Sequence, residues 1–174
     1  MSDKSQSVSH RILNWLPAAI AILVIRMEST AVMSGANTSY WLYPYWVKLF
    51  GPITPEHWET VHHLIRKCGH LTGYGLTSLC FFHGWRTTLK IKVKGLQALE
   101  DACKAMWRNA SLLALLCTLI VASADEIHQS FLPGRTATPV DVCIDMTGAI
   151  IAQLIVQQIM RRTRLRNRIL VPAA

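Results

Sequence analysis

The feature that most limits this chain is a set of four apolar stretches, at about residues 12–33, 64–85, 109–131 and 139–160. Each is close to the roughly 20 residues a helix needs to cross about 30 Å of hydrocarbon. No water reaches backbone N–H and C=O groups inside a bilayer, so such stretches satisfy their own hydrogen bonds as helices. The expected fold is therefore all-α, a polytopic membrane protein forming one bundle of four transmembrane helices. Composition agrees: of 174 residues only 16% are charged, against about 25% in an ordinary soluble domain.

The net charge of +8 invites a nucleic-acid reading, but the basic residues border apolar runs and no nucleic-acid motif accompanies them. Their distribution sets a topology instead, because basic residues collect on the cytoplasmic side. The 86–108 connection carries Arg86, Lys90, Lys92, Lys94, Lys104 and Arg108, and the tail 161–174 carries Arg161, Arg162, Arg164, Arg166 and Arg168. The N-terminal arm has Lys4 and Arg11, whereas the 34–60 connection has only Lys48 and the 132–138 turn only Arg135. Both termini and the 86–108 connection are expected in the cytoplasm, with the 34–60 and 132–138 connections outside. A cleaved signal peptide over the first segment is the competing reading, with Ser34-Gly35-Ala36 as its small-residue site. Arg26 and Glu28, between the apolar run and that site, argue against it.

With this topology, ionisable residues from all four segments gather at the outer helix ends. Charges within membrane segments are costly, so they mark function by default. Arg66, His70 and Tyr74 recur every four residues and share a helical face, with Lys67 on the adjoining one. A phosphate suits this set: a guanidinium fork, a point charge and a proton donor. Snorkelling to headgroups is the plainer alternative, but basic residues are otherwise sparse on the outer side. Asp125, Glu126, His128 and Gln129 form the densest polar cluster, before a turn at Pro133-Gly134. Acids near a helix C-terminus oppose its dipole and need partners, for which Arg66, Arg135 and His70 are the candidates.

Two helix starts are legible. Thr54-Pro55 and Thr138-Pro139 each place a capping side chain before a proline at the first helical position. Asp141, three residues after Thr138, completes a capping box. Asp145, one turn deeper, has no capping role and must be paired or neutral. Gly69 and Gly73 form a GxxxG pair, expected to serve helix packing. The run YWLYPYW at 40–46 reads as an interfacial aromatic belt on the outer leaflet. The five cysteines include no CxxC pair and read as small buried hydrophobes. There is no metal-ligand spacing, P-loop, dinucleotide fingerprint or GxSxG, so no metal and no cofactor are expected.

The blocks RKCGHLTGYGLTSL and ADEIHQSFLPGRTATPVDVCIDMTGA resemble the VanZ-like family of bacterial membrane proteins, over roughly residues 10–160. The family's pattern falls on Lys67, His70, Tyr74, Asp125, Glu126, Gln129, Gly134, Arg135, Asp141, Asp145 and Gly148. Position 145 is Asp where the family often has Asn, and RMESTA matches its Ser-rich segment only loosely. The resemblance implies a four-helix protein of the bacterial inner membrane; the founding member is linked to low-level teicoplanin resistance.

The reading these observations support is a cell-envelope protein, in contact with membrane lipids, with an outward-facing site for an anionic lipid or peptidoglycan-precursor headgroup. If it is an enzyme, its catalytic groups are His70, Glu126 and Asp141, with His70 and Glu126 as the acid–base pair. Arg66, Lys67, Tyr74, Asp125, Gln129, Arg135 and Asp145 would then bind the ligand. The alternatives are a small proton-coupled carrier using Glu126 and Asp145 as relays, and a non-catalytic scaffold in which the polar cluster only holds helices together.

Overall fold

The computed structural model describes residues 12–89, 96–132, 135 and 137–170, with side chains described from 101 to 163 in the later helices. Lys4, Arg11, Lys90, Lys92, Lys94 and the Pro133-Gly134 turn lie outside the described residues, as do the side chains of Arg164, Arg166 and Arg168. The described residues form five α-helices and no strand: α1 (Leu16–Glu28), α2 (Gly35–Phe50), α3 (Pro55–Thr88), α4 (Leu96–Ser130) and α5 (Pro139–Leu170), with a 3-10 turn at Ala31–Met33 between α1 and α2.

The all-α expectation holds, but the helix lengths differ from the apolar stretches. α1 has only 13 residues, because the chain turns out of the helix after Glu28 at Ser29. α3 runs 34 residues and α4 35, each on the order of 50 Å at 1.5 Å per residue. The start of α3 is as expected: Pro55 opens it and the Thr54 hydroxyl accepts a hydrogen bond from the His57 N–H. The first turns of α3 therefore stand beyond the 64–85 stretch. α5 continues past residue 160 into the basic tail.

The aromatic run at 40–46 lies within a helix that apolar-segment counting does not reveal. α2 has no buried residue. Its polar contacts to α3 are Trp58 Nε1 donating to Ser39 Oγ at 2.7 Å and Thr38 Oγ1 meeting His62 Nε2 at 3.1 Å. Tyr43 and Trp46 pack their rings on Trp58. α2 ends at Gly51, whose φ of 89° is the left-handed conformation that glycine adopts without a Cβ clash.

α3 is the central helix, packed most extensively on α5, then on α4 and α1. The α3–α5 contact depends on glycine. A Cβ on Gly148 would fall onto the carbonyl of Leu71, and one on Gly75 would come within 3.2 Å of the Gly148 carbonyl. Gly69 and Gly73 behave differently, since a Cβ at either would meet nothing within 4 Å. The packing expected of the GxxxG pair is thus made by Gly75 and Gly148, on the α3 face that Leu71 and Gly75 share.

The bundle inverts the usual inside-outside pattern. Its fully buried residues are small or polar, including Ala110, Ala114, Ala122, Ala149, Ser78, Thr118 and Asp145, while Leu23, Leu112, Leu116, Ile120, Leu154, Ile155 and Ile159 point outward. Small residues inside and large apolar ones outside suit helices packing in lipid. Among the described residues two helices are long and apolar enough to cross a membrane, Asp101–Ser130 and Pro139–Thr163.

Candidate functional site

The polar residues converge where the C-terminal ends of α1 and α4 meet the N-terminal half of α3 and the start of α5. At their centre is Asp125, 5% exposed. Its carboxylate accepts a hydrogen bond from Ser29 on α1, one from Tyr74 OH on α3 at 3.0 Å, and one from Gln129 Nε2 one turn along α4 at 2.8 Å. Three helices are therefore tied to one carboxylate. Ser29 was not singled out by sequence reasoning. Its signals are a polar residue closing the first apolar run and its place in RMESTA, the loose match to the Ser-rich segment.

The acids and bases pair differently from the expected scheme. Lys67 pairs with Asp141, and His70 Nδ1 with Asp145 Oδ1 at 3.1 Å. Both pairs join α3 to α5 and are one turn apart on each helix. Asp145 is the deeper acid: its side chain is 1% exposed and its Oδ2 has no hydrogen-bond partner. The pairing of His70 with Glu126 is not what the geometry shows. Glu126 Oε2 instead accepts the Thr138 N–H at 3.0 Å.

That contact also revises the capping box. Thr138 Oγ1 accepts from the Asp141 N–H at 3.3 Å, as a cap should. The reciprocal bond, from the Thr138 N–H to the side chain at position 141, is replaced. Lys67 draws the Asp141 carboxylate across to α3, and Glu126 from α4 takes the N–H that Asp141 leaves.

Arg135, expected to hold a ligand's negative charge, has a structural task. Its Nη2 donates to the carbonyls of Glu28, Thr30 and Met33 at 2.6, 3.0 and 2.9 Å. It caps the C-terminal end of α1, where carbonyls are orphaned and the dipole favours a cation. Its Nε is buried without a partner, as is Nδ1 of His128, which makes no contact with Asp125.

Arg66 is the remaining cation. It is half-buried, and among the described residues it has neither a hydrogen bond nor an ion pair. It lies against the first turn of α2, where a Cβ on Gly35 would come within 2.8 Å of Arg66 Nη1. The start of α2 has no side-chain cap. Arg66 acts on its neighbours: burial first, and Arg66 second, push Arg135 below its ordinary value, against the opposing pull of Asp125 and Glu126. Burial, then Arg66 and His63, likewise lower His62.

Beside this cluster a cleft of about 280 Å³, including its open mouth, is lined by Ile25, Glu28, Ser29, Gly69, His70, Gly73, Tyr74, Asp125 and Gln129. The open space that Gly69 and Gly73 leave on α3 forms one of its walls. Among the described residues no group of three or more His, Cys, Asp or Glu side chains is arranged to hold a metal ion.

The VanZ/LLP1 family model matches residues 3–161. The chain belongs to the VanZ/LLP1 family. No curated protein and no solved structure matches it. In this VanZ-family chain the two motif blocks face each other across the α3–α5 and α3–α4 contacts. Lys67, His70 and Tyr74 from the first block meet Asp141, Asp145 and Asp125 from the second, in that order. Gly148 of the second block makes the close approach to α3. Asp145, also of the second block, is the buried partner of His70.

Proposed function

We propose that this VanZ-family protein is a four-span component of the bacterial cytoplasmic membrane, with both termini in the cytoplasm and the polar cluster facing outward. There it holds the anionic headgroup of a lipid or lipid-linked peptidoglycan precursor. The observation that carries this reading is Arg66. A half-buried guanidinium without a carboxylate partner, set against an uncapped helix start and beside a second guanidinium, lacks a counter-ion that a phosphate would supply. Lys67 and Arg135 are less available, since each is already engaged within the protein.

His70 is the group best placed for acid–base work on such a ligand. Asp145 takes its Nδ1 side and His70 lines the cleft, an arrangement in which a carboxylate orients an imidazole. Glu126 and Asp141 then act through the fold: one caps α5 and the other anchors Lys67.

The test is retention of phosphatidylglycerol or a polyprenyl phosphate by the purified protein, read by native mass spectrometry. Arg66→Gln is expected to lower retention at least about tenfold, the scale of one lost charge-assisted pair. Wild-type retention by Arg66→Gln and by His70→Ala would remove the headgroup reading. A link to glycopeptides is tested by the teicoplanin sensitivity of a strain lacking the protein.

A further inference from the structure

The cleft and the anion locus at Arg66 have opposite electrostatic character. Neither Lys nor Arg lines the cleft; its one basic side chain, His70, is paired through Nδ1 with Asp145. Its lining includes two carboxylates, Glu28 on the rim and Asp125 at the inner end. Asp125 is more than nine-tenths buried, yet its three hydrogen-bond donors are a serine hydroxyl, a tyrosine hydroxyl and a primary amide, all neutral. Every other buried acid of the cluster is compensated differently. Asp141 has Lys67, Asp145 has His70, and Glu126 accepts a backbone N–H at a helix start. A carboxylate taken out of water without a counter-ion is costly, and three neutral donors offset only part of that. Asp125 also retains an acceptor position, since a carboxylate offers about four.

Size is compatible with this: the enclosed part of the cleft has room for about one water-sized group, and an ammonium is of that size. Glu28, whose carboxylate has no hydrogen-bond or ion-pair partner among the described residues, places a second negative charge at the mouth.

We infer that the cleft is a cation subsite for a primary ammonium group, with Asp125 as its deep acceptor and Glu28 as its rim charge. The inference rests on the headgroup reading above and deepens it. With phosphate at Arg66 and amine in the cleft, the ligand class is an amino-phosphate headgroup, as on an ethanolamine phospholipid. The same chemistry is present on soluble ethanolamine phosphate. Tyr74 and Gln129 act as positioning residues that hold the Asp125 carboxylate toward the cleft.

The experiment uses the full chain in phosphatidylcholine nanodiscs, with native mass spectrometry as readout. Three probes are offered: phosphatidylethanolamine, its N-acetylated form and phosphatidylglycerol. The expected result is at least about tenfold greater retention of phosphatidylethanolamine than of the capped lipid. Competition by soluble ethanolamine phosphate shows that the headgroup suffices; absence of competition, with the preference intact, shows that the lipid form is required. Asp125→Asn should reduce the preference to within about twofold. Because that variant also weakens a three-helix junction, Glu28→Gln serves as the second. The Glu28 carboxylate has no hydrogen-bond or ion-pair partner among the described residues, so the variant should reduce the preference several-fold at unchanged thermal stability. Arg66→Gln should lower retention of all three lipids alike. Equal retention of capped and free amine overturns the cation subsite while leaving the anion reading standing. Retention of none of the three overturns both.

Discussion

The two ends of this bundle are built from different materials. At one end, Ala18, Phe81, Phe82, Ala110 and Ala114 form an apolar cluster flanked by Trp15 and Trp85, whose rings meet edge to face at 5.1 Å. At the other, a smaller apolar set of Ile25, Tyr74 and Ala122 is joined by buried Ser29, Asp125, Glu126, Gln129, Asp141 and Asp145. The apolar end joins helices by fit. The polar end joins them by hydrogen bonds and ion pairs that span α1, α3, α4 and α5. In a bilayer, burying apolar surface between helices gains little, because lipid chains are equally apolar. Close approach of small residues and interhelical polar contacts then do the holding. The polar end can therefore be structural and still carry a site, and substitutions at the two ends should fail in different ways.

The largest effect is expected where neither end decides, at the α3–α5 backbone contact between them. Gly148→Val drives a side chain into the Leu71 carbonyl. Overpacking ordinarily costs about 1–3 kcal/mol, and a clash with backbone exceeds that, so no monodisperse protein should be recovered in detergent. Recovery at wild-type yield would show that α3 and α5 do not meet there.

Next comes the polar end. His70→Leu leaves Asp145 buried without its partner, and breaking such a pair costs about 3–5 kcal/mol. The double variant His70→Leu/Asp145→Leu should recover most of that loss, because replacing both members with apolar groups is often neutral. Thermal unfolding of the two variants separates a positional pair from an indispensable one. At the apolar end, Phe81→Ala should cost about 3 kcal/mol as a cavity, with lipid retention unchanged. Lost retention at intact stability would mean that the two ends are coupled.

A smaller effect distinguishes the glycine pairs. Gly73→Ala meets nothing and should leave stability unchanged or raise it by up to about 1 kcal/mol through helix propensity. A packing GxxxG demands the opposite sign. The smallest effect lies at His62, outside the apolar stretch 64–85, where burial and then Arg66 hold the imidazole below its ordinary value. The unfolded chain takes up the proton first as pH falls. The stability contributed by neutral His62 is therefore complete above about pH 6.5 and declines as pH drops below it. His62→Gln should flatten that part of the stability–pH curve.

Much of the fold was legible because lipid imposes a crude rule, with long apolar stretches closing into helices. The caps at Thr54 and Thr138 were equally readable, being local events within three or four residues. α2 was not, because aromatic residues at 40–46 suit a flat interfacial belt as well as a helix; contacts from Ser39 to Trp58 and from Thr38 to His62 settle the matter. The candidate residues were legible as a set, since buried charge is costly wherever it occurs. Their pairing was not. Sequence periodicity gives the face of a helix, not which face it meets.

The amino-acid sequence by itself determined that this chain is helical, where α3 and α5 begin, and that Arg66, Lys67, His70, Asp125, Glu126, Asp141 and Asp145 stand close to one another. Only the tertiary structure decided that Lys67 meets Asp141 and His70 meets Asp145, that Glu126 and Arg135 serve as caps, and that Arg66 has no hydrogen-bond or ion-pair partner among the described residues. The physical reason is one of range. Hydrogen-bond closure and capping are settled within a turn of the chain, whereas a charge's partner depends on helix rotation, here set by the contact of Gly148 with Leu71.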